Sequence, residues 1–235
     1  MQTFDNYFIC QENKMAALLA GSVSLQSDVD ECNPLFIYGG TGLGKTHLLK
    51  AIKNKHEEES PGCKVIYVTI DDFVCEFIQS IQSNQQFEFK KKYLQLDILL
   101  IDELDDIVEK FETQKELLHI INSLLSRDIQ IVISSCKSPI KILINDRTMI
   151  RRMNSVITGI DNPGYDSRQD FLINYIIKND IPCSDSIAKF IAEKVKTNFS
   201  VLGSVMASID KTSKFSGEEI TIKVVESYLE SYLKK

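Results

Sequence analysis

Residues 33–52 read NPLFIYGGTGLGKTHLLKAI, and within them Gly39–Thr46 satisfies the spacing G-x-x-x-x-G-K-[ST]. Residues of these types in this order are suited to gripping phosphate. Gly39, Gly40, Gly42 and Gly44 let the main chain curl until successive N–H groups converge on phosphate oxygens, and the start of the following helix adds its positive end. Thr41 and Leu43 complete the loop. Lys45 would reach the terminal phosphates of a nucleoside triphosphate, and the Thr46 hydroxyl would ligate Mg2+. His47, next in line, reads as a residue that packs or hydrogen-bonds behind the phosphates.

A loop of this kind needs a carboxylate at the tip of another strand, and LDILLIDELDD (96–106) supplies one. Asp102 follows four apolar residues and would hold Mg2+ through water. Glu103 would orient or deprotonate the attacking water. Other metal chemistry finds no support: His47, His56 and His119 are dispersed, and the cysteines (Cys10, Cys32, Cys63, Cys75, Cys136, Cys183) form no C-x-x-C pair. Reduced thiols in a cytoplasmic protein are the expectation.

The elements that must position these groups are legible as periodicity. Runs 35–38, 64–70, 96–102 and 129–135 are continuously apolar, as strands buried on both faces are, and 155–160 is a shorter fifth candidate. Helical spacing fills the intervals, with 71–93 reading as one helix. Strand then helix, repeated, predicts a doubly wound α/β core with a central parallel sheet. After the turn-rich DNPG (161–164) only helical patterns remain, over 168–177, 184–196, 201–211 and 221–233, with Thr221 placed to cap the last. The division expected is a base domain at 1–162 and a small helical domain at 163–235.

Composition excludes several classes. A net charge of −6 provides no sequence-wide basic footprint for nucleic acid. The N-terminus lacks a basic region followed by an apolar run, and no apolar stretch reaches the ~18 residues of a membrane span.

FDNYF (4–8), the block at 33–52, DILLIDELDDI (97–107), IQIVISS (129–135) and FSGEEITIKVVESYL (215–229) resemble the AAA+ domain of the bacterial replication initiator DnaA. That resemblance implies an AAA+ P-loop NTPase with a helical lid, using ATP or ADP with Mg2+. It further implies head-to-tail docking with DnaA, another AAA+ replication protein or a second copy, in which an arginine of one subunit reaches the γ-phosphate of the next. Arg151 or Arg152 fits that finger, the choice being open, with Arg147 as a supporting cation. In the family a helix-turn-helix domain follows the lid, whereas this sequence stops at Lys235. The expectation is therefore an Hda-like stand-alone module that regulates initiation of chromosomal replication without sequence-specific duplex recognition. The alternatives are a helicase-loader ATPase and a non-hydrolysing, nucleotide-bound interaction module.

Departures from the family pattern bear on activity. Ser200 stands where the lid carries an arginine, and a hydroxyl cannot neutralise phosphoryl charge, so weak or partner-stimulated hydrolysis is expected. Cys136 replaces a carboxylate after the fourth strand and reads as a small buried residue. Glu112 replaces an arginine beside the region that grips single-stranded DNA. Although Ile78 is retained on an apolar face, this argues against that grip and leaves Lys90–Lys92 as a solvated helix face.

Overall fold

The computed structural model describes residues 1–24, 32–107, 110–142 and 156–233. Its centre is a parallel sheet of β1 (Leu35–Gly39), β2 (Val65–Thr69), β3 (Ile98–Asp102), β4 (Gln130–Ser135) and β5 (Val156–Ile160), in the order β2-β3-β4-β1-β5. Register is set by pairs such as Phe36 with Ile133 and Ile101 with Ile133. Side chains alternate between faces along a strand, so Phe36, Leu99, Ile101 and Ile133 enter one core cluster, while Leu35, Ile37, Leu100 and Val132 are buried on the other face. The apolar runs at β1, β3 and β4 are thus covered on both sides. β2 is a correction: it lies at the sheet edge and most of its residues are only half-buried.

Three helices precede or flank the first crossover: α1 (Lys14–Ser24), α2 (Lys45–Glu59) and α3 (Ile70–Gln82). α1 packs on β5 and α2, and α2 buries Leu48, Leu49 and Ile52 beneath the sheet. The single helix expected over 71–93 is instead two, α3 and α4 (Gln86–Leu94). The break has a local cause. Asn84 adopts φ 59°, a left-handed setting that asparagine tolerates better than most residues. The Ser83 hydroxyl donates to the Gln79 carbonyl, and Gln85 N–H reaches back to Ser80. The turn folds α4 onto α3, bringing Phe89 within 5.3 Å and Tyr93 within 5.1 Å of Phe73, ring centre to ring centre. A 3-10 turn (Leu104–Ile107), α5 (Phe111–Leu125) and the short α6 (Pro139–Ile142) follow in this unit.

Chain contacts divide the molecule into two compact units, one of residues 1–9, 13–40 and 44–160, the other of 10–12, 41–43 and 161–235. The second is built from α7 (Tyr165–Lys178), α8 (Asp185–Lys194), α9 (Phe199–Ser216) and α10 (Ile222–Leu233). Its separate core includes Leu172, Ile191, Leu202, Met206 and Leu229. Asn198 caps α9 by accepting the Val201 N–H at 2.9 Å, and Gly217 ends that helix in the left-handed conformation at φ 74°. At the start of α10, Val224 N–H donates to the Thr221 hydroxyl at 3.4 Å.

Candidate functional site

β1 is an inner strand whose neighbours are β4 and β5, so the chain leaves it where the strand order reverses, the place at which open α/β sheets offer a crevice beyond their carboxyl ends. Gly39 closes β1 there. A Cβ on Gly39 would lie 2.5 Å from the Ile160 carbonyl oxygen, so only glycine permits this approach. Gly44 sits at φ 93°, and its Cβ would meet the Tyr7 ring at 2.8 Å. At the tip of the loop, Gly42 at φ 74° leaves no room for a side chain against Asn198, whose amide donates to the Thr41 carbonyl at 2.9 Å. Gly40 and Thr41 are exposed and Leu43 is buried.

Lys45 begins α2 and is only 7% exposed. Its ammonium donates to the carbonyls of Gly39 at 2.7 Å and Gly40 at 2.9 Å, and to the Cys136 sulfur at 3.7 Å. A cation is thereby held inside the curl of the loop, beside half-buried Thr46. His47 Nε2 lies 2.9 Å from the Thr3 carbonyl and the ring packs edge-on to Tyr7 at 5.1 Å, which fastens the N-terminal segment to α2.

Asp102, at the end of β3, is 1% exposed. It accepts from the Tyr67 hydroxyl at 2.7 Å, from the Glu103 N–H at 3.1 Å and from the Ser134 hydroxyl. Burial first, and then the Asp102 carboxylate, push the Tyr67 phenol well above its ordinary value, so it persists as a donor. A carboxylate offers about four lone-pair sites. Three are used, which leaves one for a bridging water. Glu103 projects into solvent from a left-handed residue at φ 60°, a setting few non-glycine residues adopt. Its carboxyl is held above the ordinary value, first by partial desolvation, then by Asp102, Asp106 and Asp71, while Lys45 pulls the other way. A group so raised is suited to taking a proton.

Tyr67 and Ser134, both hydrogen-bonded to Asp102, belong to the candidate site and were not foreseen from the sequence. The signal available was a polar residue interrupting an apolar strand, one position per neighbouring strand. Cys136 is a correction: it is exposed, because the chain leaves the sheet immediately after Ser135, where β4 ends. Ser200 is exposed in the first turn of α9. Glu112 is exposed and paired with Lys115 at 2.8 Å, while Lys90 and Lys92 pair with Glu116 at 3.1 Å and Glu76 at 2.7 Å. Arg147, Arg151 and Arg152 lie outside the described residues.

The donor set fits a nucleotide with its metal. Residues 39–46 combine main-chain curvature, a helix start and a buried cation, all of which favour phosphate. Among the described residues no group of three or more His, Cys, Asp or Glu is arranged to hold a metal alone. Thr46 and, through water, Asp102 would supply the kind of sparse donor set that Mg2+ shares with phosphate oxygens.

A parallel sheet in this order, with a glycine loop and lysine after β1 and a buried carboxylate ending β3, defines a P-loop NTPase of the AAA+ class. Within that class the chain belongs to the bacterial DnaA ATPase domain family, whose profile matches residues 1–159. The chromosomal replication initiator protein DnaA of Rickettsia canadensis is 32% identical over 234 residues, 99% of this chain and 50% of that protein. The crystal structure of domain III of the Thermotoga maritima initiator DnaA superposes with a TM-score of 0.90 at 29% identity, covering 100% of this chain and 98% of that one. A replication initiator DnaA bound to AMPPCP and single-stranded DNA superposes with a TM-score of 0.82 at 25% identity, covering 99% and 68%. The chain spans about half the length of the curated relatives it matches.

Proposed function

We propose that this chain is a nucleotide-dependent switch of the DnaA type: it binds ATP or ADP with Mg2+ at residues 39–46 and Asp102, and its nucleotide state governs docking with an AAA+ partner in replication initiation. The observation that carries this reading is the Lys45 ammonium held inside a glycine loop at the carboxyl end of β1, in the same unit as a buried, three-fold hydrogen-bonded Asp102. The relative bound to AMPPCP supports it. When bound, the Mg2+ nucleotide would supply a phosphoanhydride as the stored signal.

The chain's own residues have separable parts. Gly39, Gly40, Thr41, Gly42, Leu43 and Gly44 provide main-chain N–H groups, and Lys45 a charge that can exchange carbonyl partners for phosphate oxygens. Thr46 and, through water, Asp102 would hold the metal, and His47 braces the loop from behind. Glu103, with its raised carboxyl, receives the proton from an attacking water. Arg151 or Arg152 would reach a neighbour's γ-phosphate, whether the neighbour is DnaA, another AAA+ protein or a second copy. The exposed Ser200 hydroxyl supplies no positive charge, so hydrolysis by the isolated protein is slow and a partner speeds it. Glu112 and the ion-paired Lys90 and Lys92 weaken any hold on single-stranded DNA. Its replication-initiator family supports action in the cytoplasm. Among the described residues no helix is long and apolar enough to cross a membrane.

Calorimetric titration with ATP and ADP in Mg2+ tests the reading. Wild type should bind both, and Lys45→Ala should lose about tenfold to a hundredfold in affinity, since it removes a charge-assisted contact worth roughly 1.5–3 kcal/mol. No heat from wild type, or equal binding by the variant, would remove the nucleotide from the account.

A further inference from the structure

Asp105 lies in the 3-10 turn after β3, three residues past the metal-site carboxylate. Its two oxygens accept from three consecutive residues beyond the end of another strand. The Ser135 hydroxyl donates at 3.0 Å, the Cys136 N–H donates to the same oxygen, and the Lys137 N–H donates to the other at 3.2 Å. The single Ser135 hydroxyl proton is shared between Asp105 and the Lys137 carbonyl, which lies closer at 2.7 Å and closes the turn on itself. One carboxylate therefore holds the exit of β4, and the residue in the middle of that exit is Cys136, whose sulfur receives the third donor of the Lys45 ammonium.

We propose that Asp105 is a positioning residue of the phosphate site: it fixes the Cys136 thiol against Lys45 and so favours the triphosphate over the diphosphate. The proposal rests on the nucleotide reading above and deepens it. Sulfur is a weak acceptor, so Lys45 loses little when that donor turns toward phosphate. A carboxylate at the same place would compete strongly for the ammonium. Cys136 avoids that competition, and Asp105 holds its thiol where the ammonium meets it, its own oxygens being occupied by the Cys136 and Lys137 N–H groups. Lys45 would span the last two phosphates of ATP but only the last of ADP, so a change in what faces its ammonium is felt more by ATP than by ADP.

The test compares wild type with Asp105→Ala and Asp105→Asn. Calorimetry supplies the ATP and ADP affinities in Mg2+. Peptide-resolved alkylation by iodoacetamide without nucleotide supplies the Cys136 rate, with exposed Cys75 as internal reference. In Asp105→Ala, ATP affinity should fall by up to about tenfold and ADP affinity by no more than about threefold, because only the part of the lost turn bonds that holds the thiol against Lys45 reaches the nucleotide. Cys136 alkylation should change at least about threefold while Cys75 is unchanged. Asp105→Asn keeps one acceptor and should fall between on both readouts. A residue that merely stabilises the turn would lower Tm and leave the affinity ratio alone, so a wild-type ratio, or an unchanged Cys136 rate, in a folded variant overturns the proposal. If the alanine variant does not fold, the asparagine variant decides by the same two readouts. Should Lys45→Ala still bind both nucleotides, the loop reading fails, and the alkylation arm still judges the hold of Asp105 on Cys136.

Discussion

Glu103 combines two unfavourable settings in one residue: a left-handed backbone at φ 60° and a carboxyl surrounded by Asp102, Asp106 and Asp71. Its folded pKa is raised, so the native state binds the extra proton and stability falls as pH rises above 4.5, the ordinary value. Glu103→Gln should therefore be more stable than wild type at neutral pH, with the difference vanishing below that value in denaturant titrations. Glu103→Gly relieves backbone strain of about 1–2 kcal/mol and should also gain stability. On the water-activating role proposed for Glu103, both variants should lose partner-stimulated phosphate release. Glu12 behaves oppositely. Burial by itself would raise its carboxyl, but bonds from the Ser167 hydroxyl at 2.7 Å and the Gly164 N–H at 2.6 Å bring it down to about 2. Its contribution is thus present above 4.5 and lost as pH falls through about 2. Glu12→Gln should flatten that acid limb of the stability curve.

Elements here are ended and joined by single side chains. Asn198 caps α9 and donates to the Thr41 carbonyl, so Asn198→Ala should cost about 1 kcal/mol as a lost cap, and more if the loop contact contributes. Thermal melts of Asn198→Ala and Asn198→Asp separate the two terms, since aspartate keeps the cap and loses the amide donor. At the α3–α4 break, Asn84→Gly should be neutral or slightly stabilising, whereas Asn84→Val should destabilise, because a β-branched side chain does not accept φ 59°. The continuous amphipathic pattern over 71–93 hides this break. Two helices folded on each other keep the same apolar spacing as one, and the aromatic cluster of Phe73, Phe89 and Tyr93 decides between them.

At the scale of the whole molecule, two hydrophobic cores are built from separate residue sets. Leu202→Ala, in the helical unit, should cost about 2–5 kcal/mol. Hydrogen exchange should show protection lost in α7–α9 while amides of β3 and β4 keep theirs. Equal loss across both would mean one cooperative unit.

Sequence by itself determined the strand positions, the parallel α/β class and the glycine loop after β1, because each is encoded by neighbours along the chain. An apolar run needs burial wherever it goes, and a glycine-lysine loop carries its own geometry. Tertiary structure alone decided that Tyr67 and Ser134 hold Asp102, that Cys136 is exposed beside Lys45, and that Asp105 holds the exit of β4. Those partners are about 30 to 90 residues apart, and hydrogen bonds between strand ends depend on sheet order and register, which no local pattern specifies.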